Sequence, residues 1–298
     1  MTRIKKQETK WYRGEHCNWM PDEASMTEPN SIEKYILKGW VPSRPFITKK
    51  DFISVFGSCF AEHVARFLEG FGYQTSTKTE SSRDVPIVKH HSALVTTFAI
   101  RQQLEWAWEN RGAKENTWYE SPDNFILQDE NQKMRTKALL DKTDIFIITF
   151  GLSEAWYHKK TGDVFWKAVP SRSFDPDQHG FRVVSCQENI DNINKIVSLI
   201  EEHRPDAHII ITLSPVRLLA TFRPVSCITA NCASKAILRA SIDEAIRSRQ
   251  GKKIHYWPSY EIMTEGYRDA FQKDKRHPKP SLVSQMMHLF KKYYLADG

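Results

Sequence analysis

The residues best suited to do chemistry lie at two places far apart in this sequence. Ser58 follows Gly57 at the end of the apolar run Phe52–Phe56, and an amphipathic segment begins directly after it. Asp274 and His277 are three residues apart, so in a turn or a first helical turn their side chains share one face. A serine hydroxyl attacks well when a base takes its proton and a third group orients that base. These residue types therefore predict nucleophilic catalysis by a Ser-His-Asp triad.

Ser58 is predicted to stand at the junction of a buried strand and a helix. Apolar residues recur at spacings of three and four over Cys59–Phe71, which is typical of a helix with one buried face. The backbone N–H of Ser58 then lies at the helix amino end, where it can bind a developing oxyanion. A serine that only caps the helix explains the same position. Cys59 is a rival nucleophile by its chemistry, whereas its place in the helix suits a small buried side chain.

Asp274 and His277 also have two interpretations. As part of a triad, the carboxylate holds Nδ1 of the imidazole and leaves Nε2 for Ser58. As ordinary surface residues, the two form an ion pair in a lysine-rich loop. Their position directly before the predicted closing helix, Ser281–Tyr294, favours the triad, and Pro278 restrains the loop that carries them.

Strand and helix patterns alternate along the rest of the chain. The run Asp144–Phe150 is almost continuously apolar, as in a strand buried on both faces of a parallel sheet. The alternation predicts an α/β protein, a three-layer α/β/α sandwich with a mostly parallel sheet. Residues 1–49 are expected to form an arm packed on a domain over 50–298, with an insertion at about 155–188. The remaining predicted elements are strands at His208–Leu213 and Lys253–Trp257 and helices at Ser92–Trp108, Asn189–His203 and Ala233–Arg249.

Polar and aromatic residues follow the predicted strands, where parallel sheets bind their ligands. Glu154 can act there as a second acid or base, or hold a neighbouring loop by hydrogen bonds to its backbone. Arg217 can bind an anionic group of a substrate, or be solvated. Trp156 and Trp166 suit a platform for the apolar face of a sugar ring, and core packing explains them equally well.

His90 and His91 form a pair that invites a metal interpretation. No carboxylate or cysteine stands at ligand spacing from them, so we expect a structural role or contact with substrate, and no metal site. The five cysteines form no CxxC pair and predict neither a zinc knuckle nor a disulfide framework. This cysteine usage fits a reducing compartment.

Composition and charge limit the classes of function. The 298 residues include 27% charged and 40% apolar side chains, which are the proportions of a globular protein. The net charge of +7 comes from scattered Lys and Arg residues, so no nucleic-acid partner is expected. The basic amino-terminal segment lacks the apolar core of a secretion signal, and no apolar stretch approaches about 18 residues. We therefore expect a cytoplasmic protein without a transmembrane segment.

Several segments of the chain, taken together, are similar to one known family. The string GSCFA occurs at residues 57–61 and is followed by a predicted helix. The further segments are TFGLSEAW (149–156), TLSPVRLLATF (212–222), NCASKAILR (231–239), YWPSYEIM (256–263) and DKRHP (274–278). The chain therefore resembles a GSCFA-domain protein, of the SGNH or GDSL-like hydrolase superfamily, over about residues 50–290.

This resemblance implies a flavodoxin-like hydrolase fold with Ser58 as the nucleophile and His277 and Asp274 completing the triad. The Ser58 amide and Ser153 are expected to bind the oxyanion. The superfamily usually has an Asn in the block where this chain has Ser153, whose hydroxyl is a shorter donor. A weaker or relocated oxyanion hole is therefore expected, and one lost donor costs roughly 2.7–4 kcal/mol. The glycine of the second superfamily block is also not evident in residues 85–92.

The activity implied by the resemblance is hydrolysis of O-acyl esters of a carbohydrate, above all O-acetyl esters, by a serine esterase that needs no cofactor. One alternative is an O-acyltransferase with the same triad, which would need acetyl-CoA or another acyl donor. A second alternative is a binding protein that has kept the fold and lost the oxyanion hole. The expected partner is a small-molecule or glycan ester, and the sequence leaves the oligomeric state open.

Overall fold

A parallel sheet forms the centre of the structure. The structure is a computed structural model and describes residues 14, 16–57, 59–77, 95–113, 117–121, 124–125, 128–249 and 253–296. In chain order its strands are β1 (Phe52–Phe56), β2 (Gln74–Thr75), β3 (Tyr119–Ser121), β4 (Asn124–Phe125), β5 (Ile145–Phe150), β6 (Glu154–His158), β7 (His179–Val183), β8 (His208–Leu213) and β9 (Ile254–Trp257). Five of them form the central sheet in the order β2-β1-β5-β8-β9, and every neighbouring pair is parallel. β3 pairs with β4, and β6 with β7, in small antiparallel sheets.

Helices cover both faces of the central sheet. They are α1 (Glu23–Met26), α2 (Cys59–Gly70), α3 (Thr97–Glu109), α4 (Glu130–Asp141), α5 (Cys186–His203), α6 (Cys227–Arg247), α7 (Ser259–Glu261) and α8 (Pro280–Tyr294), with π-helical turns at Glu33–Leu37 and Ile262–Gly266 and a 3₁₀ turn at Ser171–Ser173. Helices α3 to α6 share one apolar core with the sheet, and α2 and α8 share the other. The predicted α/β/α sandwich is therefore confirmed. None of the helices within the described ranges is long and apolar enough to cross a membrane.

Alternating side chains let one sheet fill two cores. In β1, Phe52 and Phe56 enter the core shared with α3 to α6. Ile53 and Val55 enter the core shared with α2 and α8. All six residues of β5 are buried, as the apolar run predicts for a strand covered on both faces. The predicted bounds of β1 and β8 are confirmed.

Three helices begin more than one residue away from their predicted starts, and side-chain caps fix all three. Ser185 caps α5, so that helix begins at Cys186, ahead of the predicted start at Asn189. Ser226 caps α6, so the helix begins at Cys227, ahead of the predicted start at Ala233. Thr96 caps α3, so that helix begins at Thr97, later than predicted. Apolar spacing marks the buried face of a helix, whereas the cap decides its first residue.

Helix α4 and the pairing of β6 with β7 are among the features absent from the prediction. Helix α4 carries only three buried residues, Thr136, Leu139 and Leu140, so its apolar pattern is weak. The segment predicted as an insertion contains β7 and most of β6, whose pairing places Glu154 opposite Val183. That segment is therefore partly a two-stranded sheet that starts four residues after β5.

The segment before β1 runs beside the end of α8. The backbone N–H groups of Phe46 and Ile47 donate to the carbonyl of Tyr294 at 3.1 and 2.9 Å. The ring of Phe46 stacks on His208 and His255, with ring centroids 4.0 and 4.8 Å apart. These contacts join the segment to the amino ends of β8 and β9. The division of the chain into an arm and a domain stays a prediction.

The histidine pair under Phe46 makes stability depend on pH. His208 Nδ1 and His255 Nε2 are 3.1 Å apart, and burial, helped by the neighbouring His208, lowers the pKa of His255 to about 4. An unfolded histidine titrates near pH 6.5, so between pH 6.5 and 4 the unfolded chain binds a proton that folded His255 does not. As the pH falls from 6.5 to 4, His255 should therefore lower the free energy of unfolding by about 3 kcal/mol.

Urea unfolding of the wild type and of His255→Phe at several pH values measures this dependence. The variant keeps an aromatic ring for Phe46 to stack on and removes the proton site. Its free energy of unfolding should therefore decrease less than that of the wild type between pH 6.5 and 4. Equal decreases for the two proteins would contradict the prediction.

Candidate active site

The carboxyl end of β1 lies tightly against β5. Gly57, directly after β1, has a φ of 144°, in the region that favours glycine. A Cβ built on Gly57 would lie 2.8 Å from Thr149 Cβ and 2.9 Å from Ala61 Cβ. The glycine therefore lets the chain between β1 and α2 contact the carboxyl end of β5 directly.

We expect Gly57→Ala to lower the free energy of unfolding by roughly 2–5 kcal/mol, because it strains the backbone and drives a methyl group into two Cβ atoms. Gly162→Ala is the matched control, since Gly162 has a φ of +77° and nothing lies within 4 Å of its built Cβ. That control should cost about 1–2 kcal/mol. Urea unfolding measures both changes, and equal costs would show that the contact at Gly57 is unimportant.

Three predicted site residues, Ser58, His90 and His91, lie outside the described residues. Their roles therefore stay predictions. Cys59 is the first residue of α2 and is half-buried. Phe60, the next residue, is buried in the core as the helical pattern predicts.

Asp274 and His277 form a hydrogen-bonded pair. Asp274 Oδ2 lies 2.5 Å from His277 Nδ1, and Oδ1 accepts from the backbone N–H groups of Arg276 and His277 at 2.9 and 3.1 Å. These hydrogen bonds, the one to the imidazole above all, hold the pKa of Asp274 well below its usual range. The carboxylate therefore engages Nδ1 and leaves Nε2 to take a proton. The side chains of His277 and Asp274 are 36% and 44% exposed, so a substrate can reach them.

The loop that carries this pair is bound to the loop after β8. The backbone N–H of Arg217 donates to the carbonyl of Arg276 at 3.3 Å, and Arg217 Nη1 donates to the carbonyl of Lys275 at 3.1 Å. In return, Arg276 Nε donates to the carbonyl of Leu218 at 3.2 Å. Contacts in both directions hold the Asp-His pair beside the carboxyl end of β8.

A cavity of about 270 Å³ opens beside the same loop. Arg217 lines the cavity, with its guanidinium carbon 3.9 Å from the ring centroid of Phe271. Lys275 also lines it, whereas the carboxylate of Asp269 there is paired with Lys279 at 2.5 Å. A cation fixed by stacking next to aromatic carbon suits a ligand with an anionic group. The other lining residues are Met263, Thr264, Tyr267 and Ala270.

Ser153 contacts helix α6. Its N–H donates to Ser234 Oγ at 2.8 Å, and its own Oγ donates to the Ser234 carbonyl at 3.3 Å and lies 3.2 Å from Ser234 Oγ. Only 1% of Ser153 is exposed. The hydroxyl predicted as an oxyanion donor is therefore engaged with α6, and its role in binding an oxyanion stays a prediction.

Lys235, the residue after Ser234, is a buried amine at this sheet edge. It is 1% exposed, and its Nζ donates to the carbonyls of Gly151 and Ser214 at 2.7 Å each. Gly151 follows β5 and Ser214 follows β8, so the side chain joins the carboxyl ends of these two neighbouring strands. Burial lowers the pKa of Lys235 to about 7.

Glu154 lies at the start of β6 and is 5% exposed. Its Oε2 accepts from Thr221 Oγ1 at 2.8 Å, and Arg223 Nη1 is 3.8 Å from Oε1. Both partners belong to the chain after β8. Glu154 therefore contacts a neighbouring loop, as one of its two predicted roles requires, but it does so through side chains of that loop and not through the predicted backbone groups.

The two tryptophans proposed as a sugar platform have different surroundings. Trp166 is 2% exposed and stacks on Trp118 with ring centroids 4.6 Å apart, so it belongs to the core. Trp156 is partly exposed. It contacts an aromatic cluster made of Phe174, Phe181 and Phe222. The platform interpretation therefore applies to Trp156 alone.

The polar face of α6 is a feature that was not predicted from the sequence. Asn231, Ser234 and Lys235 are buried, and Asn231 Oδ1 accepts from the N–H of Leu218 at 3.0 Å. Together the three residues bind the chain after β5 and after β8. A signal is present in the sequence, because they share helical spacing with the core residue Leu238. Polar residues in the buried stripe of a helix mark a position where side chains bind other parts of the chain.

Most of the chain matches one family of known proteins, the GSCFA family, whose model matches residues 52–290. No curated protein matches the chain. Similar solved structures include a carbohydrate esterase family 2 enzyme with a carbohydrate binding domain from Corynascus thermopiles (Myceliophthora fergusii), 16% identical with a TM-score of 0.41 over 85% of this chain and 67% of that chain. An acetyl xylan esterase from the rumen bacterium Butyrivibrio proteoclasticus is 10% identical with a TM-score of 0.39, over 85% and 64%. Likenesses this weak carry no argument about function.

Proposed function

The chain belongs to the GSCFA family, and from this premise we propose that it is a serine esterase that hydrolyses O-acyl esters of a carbohydrate, above all O-acetyl esters. The observation that carries the proposal is the Asp274–His277 pair, with 2.5 Å between carboxylate and imidazole, on a loop bound to the carboxyl end of the sheet. Ser58 as nucleophile comes from the sequence and the family resemblance. The carbohydrate substrate class comes from that resemblance by analogy.

The order of strands supports a meeting of Ser58 with His277. The loop after β8 binds the loop of His277, and β8 is separated from β1 by β5 alone. Neighbouring strands lie about 4.8 Å apart, so the carboxyl ends of β1 and β8 are about 10 Å apart. Ser58 comes directly after Gly57 in the sequence, and the loop of His277 is bound to the loop after β8, so a gap of that width favours contact between the two residues.

In the proposed reaction, Nε2 of His277 takes the hydroxyl proton of Ser58 while the serine oxygen attacks the ester carbonyl carbon. The carbonyl oxygen becomes an oxyanion, to which the N–H of Ser58 donates. The bond to the sugar oxygen then breaks, and the imidazolium gives its proton to that oxygen. His277 next takes a proton from the water that attacks the acyl-serine, which releases the acid and restores Ser58. Asp274 stays charged and holds Nδ1 throughout.

We place the carbohydrate in the cavity beside the His277 loop. Its volume of about 270 Å³ is below that of most sites for drug-sized ligands, so it suits a single sugar residue. Phe271 and Tyr267 present aromatic carbon to a sugar ring, and Arg217 presents a cation to an acidic substituent. Trp156, which is partly exposed, is a further candidate contact at the same edge of the sheet.

The contact of Trp156 with the aromatic cluster favours one alternative, an O-acyltransferase with the same triad. The ring of Phe222, in the chain after β8, lies 4.8 Å from that of Trp156. Apolar rings at the sheet edge can exclude water from the acyl-serine, so that a sugar hydroxyl becomes the acceptor. Such an enzyme would take its acyl group from acetyl-CoA or another donor.

Separate incubations distinguish these functions. Release of acetate from p-nitrophenyl acetate or an acetylated oligosaccharide, without an added acceptor, would support the esterase. Turnover of acetyl-CoA only when a glycan is present would support the transferase. A folded protein whose Ser58 is not labelled by a fluorophosphonate at high concentration would refute both and favour the binding protein.

A further inference from the structure

Lys235 is buried where two strands of the sheet end, and it contacts carbonyl dipoles there. Its Nζ donates to the carbonyls of Gly151 and Ser214 at 2.7 Å each, and 1% of the residue is exposed. Within the described part of the chain, no carboxylate lies at ion-pair distance from this Nζ. In that part of the chain the side-chain nitrogen therefore contacts carbonyl dipoles and has no ion-pair partner.

A buried ammonium of this kind is costly to the folded protein, because it loses its hydration and carbonyl dipoles replace only part of it. Burial alone lowers the pKa of Lys235 to about 7, so at neutral pH part of the protein carries the ammonium, and a lower pH increases that share. A negative charge that forms nearby would be stabilised more strongly than in water, since little solvent screens the interaction. The desolvation cost of the buried ammonium in the resting protein would then be offset by its attraction to the oxyanion in the transition state.

The position of Lys235 links the two halves of the candidate site. Gly57, which precedes the predicted nucleophile, lies against Thr149, two residues before Gly151. Ser214 opens the loop that is bound to the loop of the Asp-His pair. One side chain therefore binds the strand end next to the predicted nucleophile and the strand end next to the predicted base.

We propose that Lys235 is a positioning residue of the esterase, which fixes the carboxyl ends of β5 and β8 and supplies the positive field that stabilises the oxyanion formed at Ser58. The inference rests on the proposed function. Ser153 stands where the superfamily usually has an Asn donor, and it is engaged with Ser234. The inference therefore also accounts for the missing Asn donor. A buried charge then replaces a side-chain donor.

Three variants separate the charge of Lys235 from its hydrogen bonds. Lys235→Arg keeps the charge, Lys235→Gln keeps an N–H donor without charge, and Lys235→Met keeps neither. Labelling of Ser58 by a fluorophosphonate and the kcat and KM for p-nitrophenyl acetate are measured, since both reactions build negative charge on an oxygen. We expect the Gln and Met variants to lose about 10- to 100-fold in kcat with little change in KM, and the Arg variant to recover most of the loss.

Ser241→Ala is the matched control, because Ser241 lies on the same buried face of α6 and donates to the carbonyl of Ile237 at 2.8 Å. It should lower the midpoint of thermal unfolding without lowering kcat. A folded Lys235→Gln protein with the kcat of the wild type would overturn the inference and leave the esterase intact. If the uncharged variants fail to fold, a folded Lys235→Arg protein whose kcat is as low as that expected for Lys235→Gln would also overturn the inference. A wild type that neither reacts with the probe nor hydrolyses the ester would overturn the proposed function instead.

Discussion

Ser58→Ala is expected to lower kcat for ester hydrolysis by about 10³-fold or more, because the acyl intermediate can no longer form. Fluorophosphonate labelling should disappear in the same variant. If Ser58 only caps α2, the result is different. The free energy of unfolding then falls by about 1 kcal/mol while hydrolysis continues.

Cys59→Ala is the matched control for the serine variant, because this thiol is the rival nucleophile and the next residue in the chain. The variant should keep most of the wild-type kcat and should still be labelled. Peptide mapping of the labelled wild type identifies the modified residue directly. Loss of activity in Cys59→Ala, with activity kept in Ser58→Ala, would assign the chemistry to the thiol.

Asp274→Asn is expected to lower kcat by about 10³- to 10⁴-fold, because an amide no longer holds Nδ1 of His277 as a charged acceptor and the imidazole loses its fixed tautomer. KM should change little, since the carboxylate is directed at the imidazole. The side chain is 44% exposed, so the midpoint of thermal unfolding should also change little. Steady-state kinetics and a thermal melt of the same preparation measure both quantities.

Asp206→Asn is the control for this carboxylate. Asp206 is an exposed aspartate paired with Lys253 at 3.0 Å, and it precedes β8 at the opposite end of that strand. Loss of this charge should leave kcat unchanged. An Asp274→Asn enzyme as active as Asp206→Asn would show that the Asp-His pair is an ordinary surface ion pair.

The central sheet could be predicted from the sequence because its strands carry their own signal. β5 and β8 are short apolar runs ended by polar or turn residues, and a strand covered on both faces needs little else. Helix α4 could not be predicted in this way, since most of its surface is solvated and its few buried residues give no clear stripe. Helix starts also depended on single capping side chains rather than on the apolar pattern.

The Asp274–His277 contact could be predicted because both partners lie in one turn, so local spacing decides whether they meet. The contacts that hold the loop of this pair could not be predicted from the sequence. Arg217 reaches a carbonyl 58 residues away in the chain, and only the folded sheet brings the two together. The same is true of Lys235, whose acceptors follow two different strands. Its polar side chain in a buried helical stripe was the available signal, and the family segment that contains it did not reveal the role.

The loop of the Asp-His pair is held mainly through main-chain atoms, and this has a consequence for redesign. Arg217 binds the carbonyls of residues 275 and 276, so the identity of the side chain at 275 is not part of the anchoring. Lys275 has a φ of 59°, so Asn or Gly can replace it without backbone strain. If the proposed function holds, libraries that vary this single position are expected to change which acidic or neutral ligands bind in the cavity while the imidazole of His277 keeps its place.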